Sequence, residues 1–364
     1  MDRRYAFLFA TCAAVAVCVW FFAGKSNRGG TSETAAPNVA VDASREFGDA
    51  DHSLSGRIGA VMAKLRGSAA TAADLAMLKH ALFADPAAGI AAIREFLATN
   101  EDAATGQPFT VGPGGLLDGA PTLRIFLLDV LGQLSRQVGG GDGAEVAREI
   151  LSKKDSPDEW ALALRNVAWD EPKALPFLAA KMHEMLEYEP WTATPTSGFL
   201  EAFDVVVHTR DASFVPALSA FAGGDNPPLQ RAATVALDRL AESSPLAVMQ
   251  YLNTNPGTIA DLPFVRADYF AKADLGDVQQ RNAVETYLDR ADVSVEEKTK
   301  FLHAVASPGS FVSDSLLATS PPPDNAAARY AGIAAAAAEW TRANRFPSLS
   351  AHVGWLLQRA TLAE

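Results

Sequence analysis

Cysteine is nearly absent from this sequence of 364 residues. The two cysteines, Cys12 and Cys18, both lie in an apolar stretch at the N-terminus. The chain after residue 18 can therefore form neither a disulfide nor a thiolate metal site. Such a domain tolerates an oxidising compartment, although the lack of cysteine does not by itself place it in one.

Runs of lysine and arginine are also missing. The chain holds 43 acidic and 31 basic residues, for a formal net charge of −12. Basic residues are concentrated within the first 28 positions, so the rest of the chain is more acidic than the whole. An acidic domain without a basic patch repels a phosphate backbone, and nucleic acid is therefore not an expected partner.

Motifs of known chemistries are absent too. The sequence has no Gly-x-Ser-x-Gly elbow and no Ser-x-x-Lys motif, and its six histidines form no pair at metal-ligand spacing. The segment from His183 to Glu187 begins like a zinc-protease helix, but Glu187 stands where the second histidine ligand belongs. We interpret it as an amphipathic helix, and we expect a charged His208 to favour the dipole of a nearby helix end. The sequence thus predicts no catalytic, cofactor-binding or metal-binding residue.

A long uncharged stretch is present at the N-terminus. Residues 1–4 are a short basic start, and residues 5–24 are uncharged and mostly apolar. About 20 such residues cross a hydrocarbon core roughly 30 Å thick. Aromatic residues at positions 20–22 suit the aromatic belt of a membrane interface. We predict a signal-anchor or transmembrane helix over residues 1–24, with the lipid bilayer as the partner of residues 5–24.

Two alternatives stay open for this segment. A cleaved signal peptide has a small-x-small site at residues 14–16, but cleavage there leaves an apolar new terminus. A buried helix of a soluble domain is the second alternative. The basic residues before the stretch, with the terminal amine, slightly outweigh those after it. We therefore expect a single-pass protein whose domain lies on the periplasmic or extracellular side, or a secreted protein if the signal is cleaved.

Changes in composition divide the chain after residue 24 into three segments. Small and polar residues dominate residues 25–50, which hold too little apolar surface to offset the entropy of ordering. We predict a flexible linker over 25–50, a helical-repeat domain over 51–319 and a C-terminal helical pair over 320–364. Three prolines at 321–323 suit a stiff linker before that pair.

One hydrophobic template recurs after residue 51, with apolar residues at i, i+3, i+4, i+7 and i+8. It places one apolar stripe on one face of a helix. It occurs in four segments, which begin at Leu123, Trp160, Phe199 and Leu229. The run of valines at 205–207 falls inside this period, so we predict helix there in spite of its β propensity. A strand is expected only at residues 109–111.

Capping residues agree with this template. Asp85, Ser156, Asn226 and Ser244 each precede a proline suited to the first helical position, and capping boxes start at Thr71 and Ser294. The predicted helices are 54–66, 71–84, 86–98, 121–138, 143–152, 157–169, 171–187, 197–209, 213–222, 227–241, 245–253, 263–273, 277–291, 294–306, 325–342 and 349–362. The sequence predicts an all-α fold with short connections.

Residues 211–252 resemble a HEAT repeat. Phe214-Val215-Pro216-Ala217-Leu218 gives a first helix with an early proline, and residues 230–237 give a second with Arg-Ala-Ala. Weaker echoes lie at 160–165 and 280–284. The resemblance implies an α-solenoid of stacked antiparallel helix pairs that binds other proteins, and it implies no catalytic residue.

Two segments depart from the helical pattern. Residues 99–120 form a glycine-rich loop that lacks the Gly-Lys-Ser/Thr of a phosphate loop, so we interpret it as a surface or groove-edge loop. Trp191 lies between two prolines and off any helical period. We therefore expect it to be partly exposed, and it is the candidate for contact with a protein partner.

Three hypotheses for function remain at this point. The favoured one is a membrane-tethered helical-repeat scaffold that binds an unknown protein partner without catalysis. The second is a hydrolase with a non-standard carboxylate or histidine site in a groove of the helical array. The third is a structural component of the cell envelope.

Overall fold

The computed structural model describes residues 53–68, 70–307, 315–317 and 326–363. The predicted anchor (1–24) and linker (25–50) lie outside these residues. No helix in the described ranges is both long and apolar enough to cross a bilayer.

Helices make up most of the described chain, so the predicted all-α class is confirmed. They are α1 (Leu54–Arg66), α2 (Ala72–Ala84), α3 (Pro86–Ala98), α4 (Leu123–Val138), α5 (Asp142–Ile150), α6 (Pro157–Asp170), α7 (Leu175–Leu186), α8 (Glu189–Ala193), α9 (Ser197–Glu201), α10 (Phe203–Thr209), α11 (Val215–Ala222), α12 (Pro227–Ser243), α13 (Pro245–Thr254), α14 (Pro263–Phe270), α15 (Val278–Asp289), α16 (Val295–Ala304), α17 (Ala326–Arg342) and α18 (Ser350–Thr361).

Caps explain why most helix starts were predictable. Asp85, Ser156 and Asn226 each accept a backbone N–H bond at the start of the following helix, as expected. The expectation is wrong for Ser244, because its hydroxyl donates to the Arg210 carbonyl and makes no cap bond to α13. Thr71 and Asp74 form both halves of a capping box. The Ser294 box is half formed: its side chain accepts from the Glu297 N–H, whereas the Glu297 carboxylate binds Arg266 instead. A buried guanidinium is a stronger partner for this carboxylate than an exposed backbone N–H.

The structure departs from the predicted helices between residues 186 and 210. A short helix, α8, occupies 189–193, which no periodicity indicated. The single helix predicted over 197–209 is divided into α9 and α10 at Ala202, where the Val205 N–H donates to the Ala202 carbonyl at 2.9 Å. This i to i+3 bond tightens the turn, so the two helices are not continuous.

The glycine-rich loop before α4 contains a small hairpin. β1 (Thr110–Val111) pairs antiparallel with β2 (Leu117–Gly119), which confirms the expected strand. A one-turn 3-10 helix, Pro113–Gly115, connects the two strands. The loop is therefore an ordered element packed beside α4.

Contacts between helices follow the order of the chain. Neighbours such as α5 and α6, α11 and α12, and α17 and α18 pack closely, and α4 packs on α6 and α14 on α16. The core is continuous across the described residues, and its largest fully buried side chains include Trp160, Trp340 and Arg165.

Polar contacts between alternate helices recur at similar sequence separations. They join residues 30 to 36 positions apart and connect α4 to α6, α10 to α12, α12 to α14 and α14 to α16. The pairs are Arg124–Glu159, Ser135–Asp170, Asp129–Arg165, Asp204–Arg239, Thr234–Tyr269, Glu242–Lys272 and Arg266–Glu297, where Lys272 lies two residues after the end of α14. These contacts join each of these helices to the next but one along the chain.

Candidate partner-binding groove

A cavity of about 320 Å³ lies between α9, α10 and α12 and is named the α10–α12 groove. Its apolar lining includes Leu200, Phe203, Ala232 and Val235. Val235, in the middle of α12, is 41% exposed. Apolar surface that stays open to solvent beside polar groups is typical of a binding surface.

The walls of the groove are fixed by helix caps. Thr196 caps α9 through the Phe199 N–H, and Asp158 of α6 accepts hydrogen bonds from the Thr196 hydroxyl at 2.5 Å and the Gly198 N–H at 2.8 Å. Burial raises the pKa of Asp158, although these hydrogen bonds oppose the shift. On the other wall, Asn226 caps α12. Both walls are therefore anchored at their N-terminal ends.

A buried ion pair forms the base of the groove. Asp204 of α10 accepts from the guanidinium of Arg239 on α12, and both side chains are less than a tenth exposed. The second carboxylate oxygen of Asp204 accepts from the Leu317 N–H at 3.2 Å. Asp204 therefore joins α10, α12 and the segment 315–317.

Two polar groups of the groove are left for a ligand. Glu201 is half-buried, and burial raises the pKa of its carboxyl group, with the charge of Arg239 opposing that shift. No hydrogen bond to Glu201 is found among the described residues. The Ser315 hydroxyl is buried, at 3% exposure, and likewise has no hydrogen-bond partner within the described part of the chain. A buried polar atom without a partner costs stability, so the Ser315 hydroxyl favours a ligand that binds it, and Glu201 places a partly exposed carboxylate beside it.

The segment 315–317 is held on its other side by the hairpin loop. The Leu316 carbonyl lies against Gly115. A Cβ added to Gly115 would come within 2.2 Å of the Leu316 carbonyl oxygen. The Gly115 carbonyl in turn accepts a hydrogen bond from Nη1 of Arg165 at 2.8 Å. Leu316 and Leu317 are buried. The position of Ser315 in the groove therefore depends on this loop.

The sequence did not single out the groove residues. No sequence motif contains Glu201, Arg239 or Ser315. Ser315 is also more than 100 positions from α10 in the sequence, and the hydrogen bond from the neighbouring Leu317 to Asp204 spans 113 positions. The spacing of Asp204 and Arg239, 35 positions, lies within the range of 30 to 36 positions found for the other pairs between alternate helices.

Trp191, the residue predicted to contact a partner, is 7% exposed and does not line the groove. Its ring contacts Trp160 edge-on, with centroids 5.2 Å apart, and Tyr188 at 4.9 Å. The expected partial exposure is therefore wrong, because α8 folds the ring onto α6. Its role in partner contact stays a prediction.

The histidines also differ from expectation. For His208, burial, with the charge of Arg210, lowers the pKa and so disfavours the charged imidazole that the sequence suggested. Its Nε2 is buried without a partner among the described residues. His183 contacts Ser213, with 2.8 Å between Nε2 and Oγ, and its ring stacks on Phe214. Glu184 pairs with Lys181 and Lys154, which agrees with an amphipathic helix.

Comparisons with known proteins add no assignment to this geometry. Family models, curated proteins and solved structures were each compared with the chain, and none of the three comparisons gives a match.

Proposed function

We propose that this chain is a membrane-tethered helical-repeat scaffold that binds a protein partner in the α10–α12 groove. The partner segment carries a lysine or arginine beside an apolar side chain. The cation binds Glu201, and the apolar side chain covers Val235. The observation that carries the proposal is the groove itself, in which a half-buried carboxylate and exposed apolar surface lie side by side.

The recurring contacts support a repeat architecture of stacked helix pairs. Seven polar pairs at separations of 30 to 36 residues connect alternate helices from α4 to α16. In a solenoid each repeat contacts its neighbours, so the same offset is expected along the array. The HEAT-like segment 211–252 corresponds to α11, α12 and most of α13. Scaffolds of this kind present grooves to partner proteins rather than catalytic centres.

The charge of the chain supports a cationic partner segment. The acidic excess, 43 acidic against 31 basic residues, attracts basic segments at long range. Within the groove, Glu201 gives that attraction a defined acceptor. The predicted anchor over residues 5–24 would hold the groove close to a membrane, where it meets membrane-associated partners.

Photo-crosslinking from the groove tests the proposal. A photoreactive amino acid replaces Val235 in the full-length chain, and adducts formed in cells are identified by mass spectrometry. We expect one dominant protein adduct that crosslinks through a basic segment. The matched control places the same amino acid at Val278, which is 57% exposed and is not part of the groove.

A second variant isolates the carboxylate. Glu201→Gln keeps the size of the side chain and removes its charge, so it should lower the yield of the Val235 adduct several-fold. Equal adducts from positions 235 and 278 would contradict the groove assignment. An unchanged yield in the Glu201→Gln variant would contradict the cationic partner segment.

A hydrolase is the second candidate, and one contact favours it. The 2.8 Å contact between His183 Nε2 and Ser213 Oγ has the length required of a base and a nucleophile. No acceptor for the other ring nitrogen of His183 is found among the described residues, so the group that orients the base in a triad is not in place. Hydrolysis of an activated ester by the wild type but not by Ser213→Ala would support this candidate.

The third hypothesis, a structural envelope component, predicts a different behaviour. Substitutions in the groove would then leave the phenotype unchanged as long as the fold is stable. Glu201→Gln serves here too, because the half-exposed side chain makes no hydrogen bond to the described residues and its replacement should leave the stability nearly unchanged.

A further inference from the structure

Two histidines that are 49 positions apart in the sequence meet at the contact between α16 and α18. His303 is in the last turn of α16 and His352 in the first turn of α18. Their nitrogens, Nε2 of His303 and Nδ1 of His352, are 3.4 Å apart. The sequence showed no metal-ligand spacing among the histidines, because this pair is made by tertiary packing.

The distance between these nitrogens suits a shared metal ion. Two nitrogens bound to zinc at about 2.05 Å with a tetrahedral angle are separated by about 3.4 Å. In this pair the N–H of one ring donates a hydrogen bond to the bare nitrogen of the other. A divalent ion can replace that proton with a small rotation of the rings, whose planes are inclined by 61°.

A tryptophan fixes one of the rings. Trp355, one turn after His352, stacks on His303 with centroids 4.3 Å apart and planes inclined by 14°. Trp355 is 38% exposed, and His303 is exposed as well. The ring of His303 is therefore held in place while the site stays open to solvent. Preorganised ligands lose less entropy when a metal binds.

The donor set selects the class of metal. Imidazole nitrogens suit zinc, copper and nickel, whereas calcium and magnesium require oxygen ligands. No group of three or more histidine, cysteine, aspartate or glutamate side chains that could hold a metal is found among the described residues. An ion on this pair therefore keeps positions for water or for a donor from another molecule.

We propose that His303 and His352 form a surface site for one divalent transition-metal ion, with copper bound more tightly than zinc and with open coordination positions. The order follows from the general preference of nitrogen sites for copper over zinc. The site is separate from the α10–α12 groove, and it does not depend on the proposed partner binding.

Calorimetric titration of the full-length chain in detergent, after removal of metals, tests the site. Copper and zinc chlorides are the probes, and calcium chloride is the negative control. We expect one equivalent of copper and of zinc, and no binding of calcium. His303→Gln and His352→Gln should each weaken copper binding by a factor of roughly ten or more. His80→Gln is the matched control and should leave binding unchanged.

Fluorescence adds a local measurement. Copper bound at the site should quench Trp355, one of six tryptophans, and Trp355→Phe should remove that part of the quenching without removing binding. The proposal is overturned if binding is not saturable at one equivalent, or if both histidine variants bind copper within twofold of the wild type. Equal losses in the His80→Gln variant would overturn it as well.

Discussion

Arg165 and Asp129 form an ion pair that is closed to solvent. The Nη1 atom of Arg165 lies 2.7 Å from Oδ1 of Asp129, and the two side chains are 0% and 4% exposed. The same guanidinium donates to the Gly115 carbonyl and to Asn166, while Asp129 accepts from the Leu117 N–H. This pair therefore fastens the hairpin loop to α4 and α6. Burial lowers the pKa of Arg165, and Asp129 opposes that shift.

Removing the charge of Asp129 should be strongly destabilising. Asp129→Asn leaves the guanidinium of Arg165 buried without a counter-ion, which costs about 3–5 kcal/mol of unfolding free energy. Urea denaturation of the full chain, followed by circular dichroism, measures the loss. Asp268→Asn is the control, because its pair with Lys300 is 42% exposed on both sides, and it should cost about 1 kcal/mol or less. Similar losses in the two variants would contradict the role of the buried pair.

Alanine substitutions at two adjacent glycines distinguish the effect of backbone strain from the effect of the contact with segment 315–317. Gly114 and Gly115 have φ of 72° and 77°, so alanine is strained at either position, at a cost of about 1–2 kcal/mol. A Cβ on Gly114 meets no atom within 4 Å, whereas a Cβ on Gly115 meets the Leu316 carbonyl oxygen.

Gly115→Ala should therefore lose clearly more unfolding free energy than Gly114→Ala. It should also expose the amide of Leu317, which hydrogen exchange detects as faster exchange at that residue. If the two alanine variants match in stability and in exchange, the contact between Gly115 and Leu316 is not important.

The stability provided by Asp74 should depend on pH. Its carboxylate accepts from Lys64 at 2.6 Å and from the Thr71 N–H and hydroxyl at 2.7 Å, and these contacts lower its pKa to about 2. An unfolded aspartate titrates near 3.9, so the unfolded state takes up the proton first as the pH falls. The contribution is present in full above about pH 5 and is lost between about pH 4 and pH 2.

Asp74→Asn should thus be less stable than the wild type by about 1 kcal/mol or more at pH 7, since it also removes half of the capping box. The difference in unfolding free energy should shrink as the pH falls below 4. Denaturation at a series of pH values checks this, and a difference that is constant from pH 7 to pH 2 would refute it.

The anchor predicted from residues 5–24 can be tested directly. The full-length protein should stay with membranes through high-salt and carbonate washes and be released by detergent. Replacing Val15 and Val17 with arginine should release it, because each charge near the centre of a bilayer costs about 2.5–3.5 kcal/mol. A soluble mature protein whose N-terminus lies beyond residue 24 would instead show that the segment is a cleaved signal.

Helix positions were largely predictable because their signals are local. The stripe from Leu123 to Leu134 and the caps at Asp85 and Asn226 fix α3, α4 and α12 without reference to the rest of the chain. The hairpin strand at 110–111 was likewise visible in local composition. The division at Ala202 was not, since the apolar period continues through it.

Site geometry was not predictable in the same way. Whether Glu297 caps α16 or binds Arg266 depends on a helix 31 positions away. The burial of Trp191 depends on Trp160, and the contact of His303 with His352 depends on how α18 packs. Side-chain pairs of this kind arise from tertiary packing, for which a single sequence has no local signal.

The contact of Leu317 with Asp204 also bears on how the protein is made. The seven polar pairs described above span 30 to 36 positions, so each can form soon after its second member has been synthesised. The hydrogen bond from Leu317 spans 113 positions, so Asp204 on α10 cannot accept it until residue 317 has been synthesised. The part of the groove lining that Ser315 supplies is therefore completed only after translation has passed residue 317.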